Sequence, residues 1–332
     1  MTRQPATRPE PCSIPCDLCG GSDVSVLATR SRSGAPLRTV ICRACGLVWS
    51  DPRPHDARQF YETDYRVAYK GAYEPRPKHV LRAGKVALSR LEKIRSLLDG
   101  GRKRILDVGT GGGEFAYLLS KLGHDVRGIE PNRGYAEYSV REYGLAIDVG
   151  FMQDVALPAG SFDVITIWHA LEHTESPSSV LDRLRRALGA GGALVVEVPN
   201  VEATCQSPTS TFHEAHLYNF NVASLRGAAE KVGLEETHHM ISSDGGNVTM
   251  FLGRRPSGTD APQGAPIPGN CARISGIVSR HTGLRHYATR HPYARAWGRL
   301  QRSLNEKREI AKLGGGRRLL DSLYSRALGT PG

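Results

Sequence analysis

From Arg104 to Gly253 the chain alternates short apolar runs with stretches whose apolar residues recur at helical spacing. Ile105, Leu106 and Val108 form a run that fits a buried parallel strand, and glycines follow at once. The pattern then predicts a helix from about Glu114, a strand from Asp125 to Ile129, a helix from Tyr135 to Tyr143 and a third strand from Leu145 to Val149. A fourth strand covers Phe162 to Trp168. The next helix runs from Pro177 to Leu188, and Gly189, Gly191 and Gly192 are expected to end it before a fifth strand, ALVVEVP. A helix from Asn221 to Val232 follows, then two strands, Leu234 to Ile241 and Asn247 to Gly253, joined at Asp244-Gly245-Gly246. Such alternation requires a parallel sheet with helices on both faces, here closed by an antiparallel hairpin, so the fold class is α/β.

The flanks follow other patterns. Cys16 and Cys19 form CDLCG, Cys42 and Cys45 form CRACG, and the two C-x-x-C-G knuckles are twenty-two residues apart. They read as a four-cysteine zinc ribbon: thiolates are soft ligands, each glycine lets its knuckle turn tightly, and Zn2+ can supply folding energy to a segment with almost no core of its own. Four thiolates leave no open coordination position, so the metal is expected to be structural. Cys12, Cys205 and Cys271 have no partner in the pattern. Beyond Pro52 and Pro54 a helix near His55 would carry Tyr61, Tyr65, Tyr69 and Tyr73 as one stripe, packed on the domain or serving as a lid. Between Pro77 and Leu98 a second helix gathers Val80, Leu81, Ala87, Leu88, Leu91, Ile94, Leu97 and Leu98 on one face, expected to pack on the sheet. The Pro- and Gly-rich stretch from Arg255 to Gly269 is a linker by composition. Three arginine-rich helices, Cys271 to Gly283, Pro292 to Leu313 and Arg317 to Leu328, are expected after it as a solvated appendage. The expected organisation is a disordered tail at 1–14, the ribbon at 15–54, a helical linker or lid at 55–103, the α/β domain at 104–255, the linker at 256–269 and a basic helical region at 270–332.

The turn after the first strand carries the candidate chemistry. Glycines there let the backbone approach a ligand, and the helix that follows presents free N–H groups. About twenty residues on, Glu130 ends the second strand, where a carboxylate can accept both hydroxyls of a ribose. A dinucleotide turn needs G-x-G-x-x-G, but the last glycine position is Glu114, whose charge would repel a pyrophosphate. Asp107 with Gly109, Gly111 and Gly113 gives D-x-G-x-G-x-G instead.

That turn resembles motif I of class I S-adenosylmethionine (SAM) methyltransferases, whose ligand has a ribose and an amino-acid end but no phosphate. The full run of CxxCG, CxxCGLVWSDPRP, FYETDY, LDVGTGGGEF, GIEPN, FDVITIWHALEH and HEAHLYNFNVASLRGAAEKVGL is similar to zinc-ribbon-bearing bacterial methyltransferases of sugar, polysaccharide and secondary-metabolite pathways, deoxysugar C-methyltransferases among them. The resemblance implies a Rossmann-like class I sheet. It implies SAM contacts from Asp107, Gly109, Gly111, Gly113 and Glu130, with Pro131 and Asn132 beside them, adenine packing around Phe151 and Met152, and contacts from Trp168 and His169. Many relatives have an acid at the Phe151 position; here Asp154 is near but out of register.

Methyl transfer is an in-line displacement, and most nucleophiles must also lose a proton. Two stretches hold candidate bases: WHALEHTESP, with His169, Glu172 and His173, and TFHEAHLYNF, with His213, Glu214, His216 and Tyr218. Glu172 and His173 read as turn and capping residues. In the C-methyltransferase relatives a Glu-His pair precedes an aromatic turn and its histidine is the base. Here the pair is Ala215-His216, so His216 is the expected base, assisted by His213 or Tyr218. His213 and His216 alone are too few to hold a metal.

The formal charge of +11 lies in the tail: from Arg254 onward there are fifteen Lys or Arg against four Asp or Glu. Phosphate on an acceptor would suit those arginines. No apolar run reaches the length of a membrane span and the polar N-terminus has no signal-peptide core, which points to a cytoplasmic protein without a membrane partner. The favoured function is methyl transfer to a nucleotide-linked sugar, glycan unit or secondary metabolite, at a hydroxyl ahead of a carbon. RNA methylation is the second reading, since a ribbon and a basic tail could bind nucleic acid; against it, Trp168-His169-Ala170-Leu171 stands where an Asn-Pro-Pro-Tyr type motif would serve base amino groups. A SAM-binding protein without turnover is the third.

Overall fold

The structure is a computed structural model that describes residues 12–53, 74–256, 264–313 and 315–329. The tyrosine stripe at 61–73, the helix near His55 and most of the N-terminal tail lie outside the described residues. Two compact units are present, one formed by 1–55, 168–185 and 194–294, the other by 56–167, 186–193 and 295–332.

In the second unit the expected strand, turn, helix and strand are β4 (Arg104–Val108), α2 (Glu114–Lys121) and β5 (Asp125–Glu130). Next come α3 (Arg133–Tyr143), β6 (Ala146–Val149) and β7 (Phe162–Trp168). Strand β4 runs parallel to both β5 and β7, with Asp107 opposite Gly128 on one side and Thr166 on the other. The apolar runs are buried along nearly their whole length, as strands covered on both faces must be. Asn132 caps α3 by accepting the Tyr135 N–H at 3.1 Å.

The first unit holds an antiparallel sheet of β1 (Val24–Arg30), β2 (Pro36–Cys42), β3 (Val48–Ser50) and the two-residue β9 (Tyr218–Asn219), in that order. It also holds α4 (Pro177–Ala187), α5 (Val222–Lys231) and the hairpin of β10 (Leu234–Ile241) with β11 (Asn247–Arg254). Asn221 and Ser224 start α5 with a reciprocal capping box. Strand β8 (Leu188–Pro199) completes the large sheet, whose order is β10-β11-β8-β7-β4-β5-β6. It is parallel at its centre and closed by the antiparallel hairpin. Among the described residues no helix is long and apolar enough to cross a membrane.

Three differences from the sequence expectations have physical causes. The glycine run at 189–192 does not separate α4 from the fifth strand; β8 begins at Leu188 and includes the glycines. A Cβ at Gly192 would lie 2.9 Å from the Asp163 carbonyl, so a glycine is what lets the chain pass as strand there. The ribbon is not without a core: Leu37, Ile41 and Val48 pack with Val201, Phe212 and Ile274, the last from α6 (Asn270–Arg280). Helix α1 (Pro77–Ile94), continued as a 3₁₀ turn to Leu98, packs against α2 and α9 (Gly316–Leu328). Between α6 and α9 lie α7 (Gly283–Tyr287) and α8 (His291–Leu313).

Helix α9 is also not a solvated appendage. Leu319, Leu320 and Tyr324 are fully buried, and the Tyr324 hydroxyl donates to the Glu114 carbonyl at 2.8 Å. Gly84 of α1 admits this contact, since a Cβ there would meet the Leu320 side chain at 2.6 Å. Leu320→Ala is expected to destabilise the protein by about 2–5 kcal/mol in denaturant melts, the cost of a core truncation. A change within about 0.5 kcal/mol, typical of surface sites, would return α9 to the surface.

Candidate functional site

The cofactor turn is built at the carboxyl end of β4. Gly109 and Thr110 donate their N–H groups to the Ile129 carbonyl at 2.8 and 3.0 Å, which fixes the turn against β5. Gly113 has φ 86, and a Cβ on it would press on the Ser139 hydroxyl at 2.7 Å, so both conformation and space demand glycine there. Glu130 is buried; its Oε2 accepts the Gly111 N–H at 2.7 Å and its Oε1 the Asn132 N–H at 3.1 Å. A carboxylate offers about four lone-pair sites, so capacity remains for ribose hydroxyls. Asp107 is buried and accepts from the Thr166 hydroxyl at 2.7 Å. Burial lifts its pKa to about 6 against the opposing pull of Arg90 and that hydrogen bond. Of the residues expected nearby, Asn132, Met152 and Trp168 are buried, while Pro131 and Phe151 are half-exposed.

The histidines and carboxylates after β7 and before β9 form a group within the first unit. His169 directly follows β7 and has φ 53, the one non-glycine residue with positive φ among the described residues. Its N–H donates to the Glu197 carbonyl at 2.8 Å, and its ring lies between two carboxylates, Nδ1 3.5 Å from Glu172 and Nε2 3.2 Å from Glu197. Burial opposes the charge on His169, but those two carboxylates outweigh it and lift its pKa to about 9. Glu197 Oε2 also accepts from the Thr249 hydroxyl at 2.5 Å. Glu172 is buried, and although burial opposes its charge, His173 and His169 hold it ionised with a pKa of about 2.

His213 and His216 are stacked at 4.9 Å, and His173 meets His216 edge-on at 5.0 Å. Burial, with Arg32 nearby, lowers His213 to about 4; burial and His173 lower His216 to about 3. Both rings are therefore neutral, and the lone pair of His213 Nδ1 accepts the Ala215 N–H at 2.9 Å. Tyr218 is buried, and its hydroxyl is held by Arg53 and by the Glu175 carbonyl. Glu197 completes a group whose other members, His169, Glu172, His173, His213, His216 and Tyr218, the sequence places among its candidates. The signal for Glu197 was there to see, a lone carboxylate inside the apolar run ALVVEVP.

The ribbon holds the segment that carries His213 and His216. Arg32 N–H donates to the Phe212 carbonyl at 2.8 Å, Ser31 and Ser33 donate to Glu214, and Ser50 N–H donates to the Leu217 carbonyl at 3.0 Å. Strand β3 then pairs Trp49 with Tyr218 and Val48 with Asn219. The knuckles are tied in as well. Asp17 accepts from the Ser178 N–H at 2.9 Å and the Ser176 hydroxyl at 2.8 Å at the start of α4, and Asn270 donates to the Cys45 carbonyl at 2.9 Å. The four Sγ atoms lie within 4.8 Å of one another, with Cys16–Cys45 at 3.4 Å and Cys19–Cys42 at 3.5 Å. A tetrahedral Zn2+ with bonds of about 2.3 Å sets its sulfurs about 3.8 Å apart, so the four thiols fit that ion.

Comparison with known proteins agrees with this architecture. Residues 80–239 match a family described as "Methyltransferase domain". Over that stretch the chain has the Rossmann-like α/β fold of methyltransferase domains. Over 117 residues the chain is 38% identical to the ubiquinone biosynthesis O-methyltransferase of Nitrosococcus oceani, covering 33% of this chain and 50% of that protein. It is 32% identical over 145 residues to the enzyme of the same name from Paraburkholderia phymatum, covering 42% and 60%. The chain thus spans about half of the curated relatives it matches. A SAM-dependent methyltransferase structure from Mesorhizobium loti superposes with a TM-score of 0.43 at 17% identity, covering 50% of this chain and 98% of that one.

Glu130→Ala removes the acceptor of two backbone N–H groups as well as the expected ribose partner. Calorimetric titration is expected to show SAM affinity lower by about 1–3 kcal/mol, the loss of hydrogen bonds to a charged group. Unchanged SAM affinity, or tight binding of a nicotinamide dinucleotide by the wild type, would refute the assignment of this turn.

Proposed function

We propose that the chain transfers the methyl group of SAM to a hydroxyl of a small-molecule acceptor. The observation that carries this reading is the turn of Asp107, Gly109, Gly111 and Gly113 with Glu130 drawn onto its N–H groups. A ribose fits there, and the buried acid at Glu114 disfavours a pyrophosphate. The printed names of the relatives, O-methyltransferases, support oxygen over carbon as the nucleophile. So does the absence of a carboxylate at Ala215, where the C-methyltransferase relatives pair one with the histidine. The acceptor class we favour is a nucleotide-linked sugar, glycan unit or secondary metabolite, in keeping with the ribbon-bearing arrangement.

Asp107, the three glycines, Glu130, Pro131 and Asn132 are proposed to hold the cofactor, with Phe151 and Met152 at the adenine and Trp168 and His169 near the sulfonium. The histidine group is proposed to receive the acceptor. In the bare protein His216 binds a proton too weakly to act alone as the expected base, so its lone pair works together with its neighbours. His213 stacks on it, and Tyr218 fixes the strand beside it.

His216→Ala is expected to lower the single-turnover rate on a hydroxyl acceptor by about a hundredfold or more, in the range of lost proton-transfer catalysis, with SAM affinity nearly unchanged. A rate within about threefold of wild type would remove His216 from the chemistry. A labelled methyl recovered on carbon or on RNA rather than on oxygen would overturn the reaction class.

The four cysteines are proposed to bind a structural Zn2+. Cys42→Ser is expected to lower the zinc content of the purified protein by about one ion per chain. Equal content in the two proteins would exclude Cys42 as a ligand.

A further inference from the structure

We infer that Tyr324 of α9 is a positioning residue for the turn after β4: from 210 residues further along the chain it fixes the first turn of α2, and with it the N–H groups that receive SAM. The inference deepens the SAM reading of that turn and rests on it. All the residues concerned lie in the second unit. They join a helix inside the matched stretch 80–239 to one that lies beyond it.

Helix α2 is poorly equipped to hold its own start. It has eight residues, short of the length at which a helix stands without outside support. Its N-cap is Gly113 in the left-handed region, which offers no side-chain acceptor to the N–H groups of the first turn. Those N–H groups, with the glycine turn that leads into them, are what a negative ligand group meets, here the carboxylate of SAM's amino-acid end. A first turn that frays presents them badly, and the ligand must then order it on binding, at a cost in affinity.

Helix α9 supplies that support along the whole of α2. The Tyr324 hydroxyl donates to the carbonyl of Glu114, the first residue of α2, at 2.8 Å. One turn on, the Tyr117 hydroxyl donates to Asp321 at 2.7 Å and accepts from Arg317 at 3.1 Å. At the last residue Lys121 pairs with Asp321 at 2.6 Å. Tyr117 also stacks on Tyr143 of α3 at 4.8 Å. The Lys121–Asp321 pair lies at the rim, where water and salt weaken it. Tyr324 is fully buried, and Leu320 and Leu323 beside it press on Gly84 of α1, so its hydroxyl is held in place by core packing. A buried hydroxyl is costly without a partner, which keeps its bond to Glu114 closed.

The test is calorimetric titration of SAM into the full-length protein and two variants, with a denaturant melt of each. Tyr324→Phe keeps the ring and removes the hydroxyl; it is expected to weaken SAM binding by about three- to tenfold, the equivalent of one hydrogen bond. Leu225→Ala, a core truncation on α5 in the first unit, is expected to lower stability and leave SAM affinity unchanged. Equal SAM affinity in folded Tyr324→Phe and the wild type overturns the proposal and leaves the SAM reading standing. So does an equal loss in Leu225→Ala, since lowered stability alone would then account for both. If Tyr324→Phe does not fold, amide exchange of the wild type decides, because coupling between two sites is reciprocal. SAM is expected to slow exchange at 317–324 together with 111–118, and by more than in α5. No slowing at 317–324, or no more than in α5, overturns the proposal. A wild type that binds no SAM refutes the SAM reading and the proposal together.

Discussion

The pairing of β3 with β9 is the constraint on which the placement of His213 and His216 depends. Strand β3 is three residues long and begins three residues after Cys45, while β9 begins two residues after His216. Two such short strands cannot hold each other alone, because a ladder this short does not offset the chain entropy it removes. It is sustained by the knuckles at one end, and by Ile41, Val48, Val201, Phe212 and Ile274 packed beneath it. The ribbon is therefore not a module tethered in front of a catalytic domain. Within its unit it is the support on which the histidine segment is laid.

Charge is distributed with the same economy of partners. Buried carboxylates are costly unless something meets them. Asp107 meets Thr166, Glu130 meets two backbone N–H groups, Glu197 meets Thr249 and His169, and Glu172 faces a ring of imidazoles. The first two acids belong to the turn after β4, where fixed N–H groups and the Thr166 hydroxyl meet them. Glu172 and Glu197 flank His169, whose positive charge meets them both. The strained backbone of His169 stands between those two, held by the Glu197 carbonyl.

What the sequence made legible was what local physics decides. The buried strands, the glycine turn and the hairpin from Leu234 to Arg254 follow from period and glycine position, and the strand limits agree to within a residue or two except at β8. The β8 start was misread because a glycine run usually ends a helix. Here it serves a close backbone approach to Asp163, which only tertiary structure reveals. Helix α9 was misread because its basic content drew the eye away from Leu319, Leu320, Leu323 and Tyr324, a stripe that is apolar enough to be core. The histidines were visible one by one, but His173 and His216 are forty-three residues apart, and their meeting depends on a strand pair that no periodicity announces.

The most direct test is amide hydrogen exchange before and after a chelator removes the metal proposed for the four cysteines. If the knuckles sustain β3 and β3 holds β9, protection falls across 47–50 and 212–219 together, while β4 and β5 at the cofactor turn keep theirs. Retained protection at 212–219 with the cysteines empty would contradict the account, since the histidine segment would then be held by something other than the ribbon.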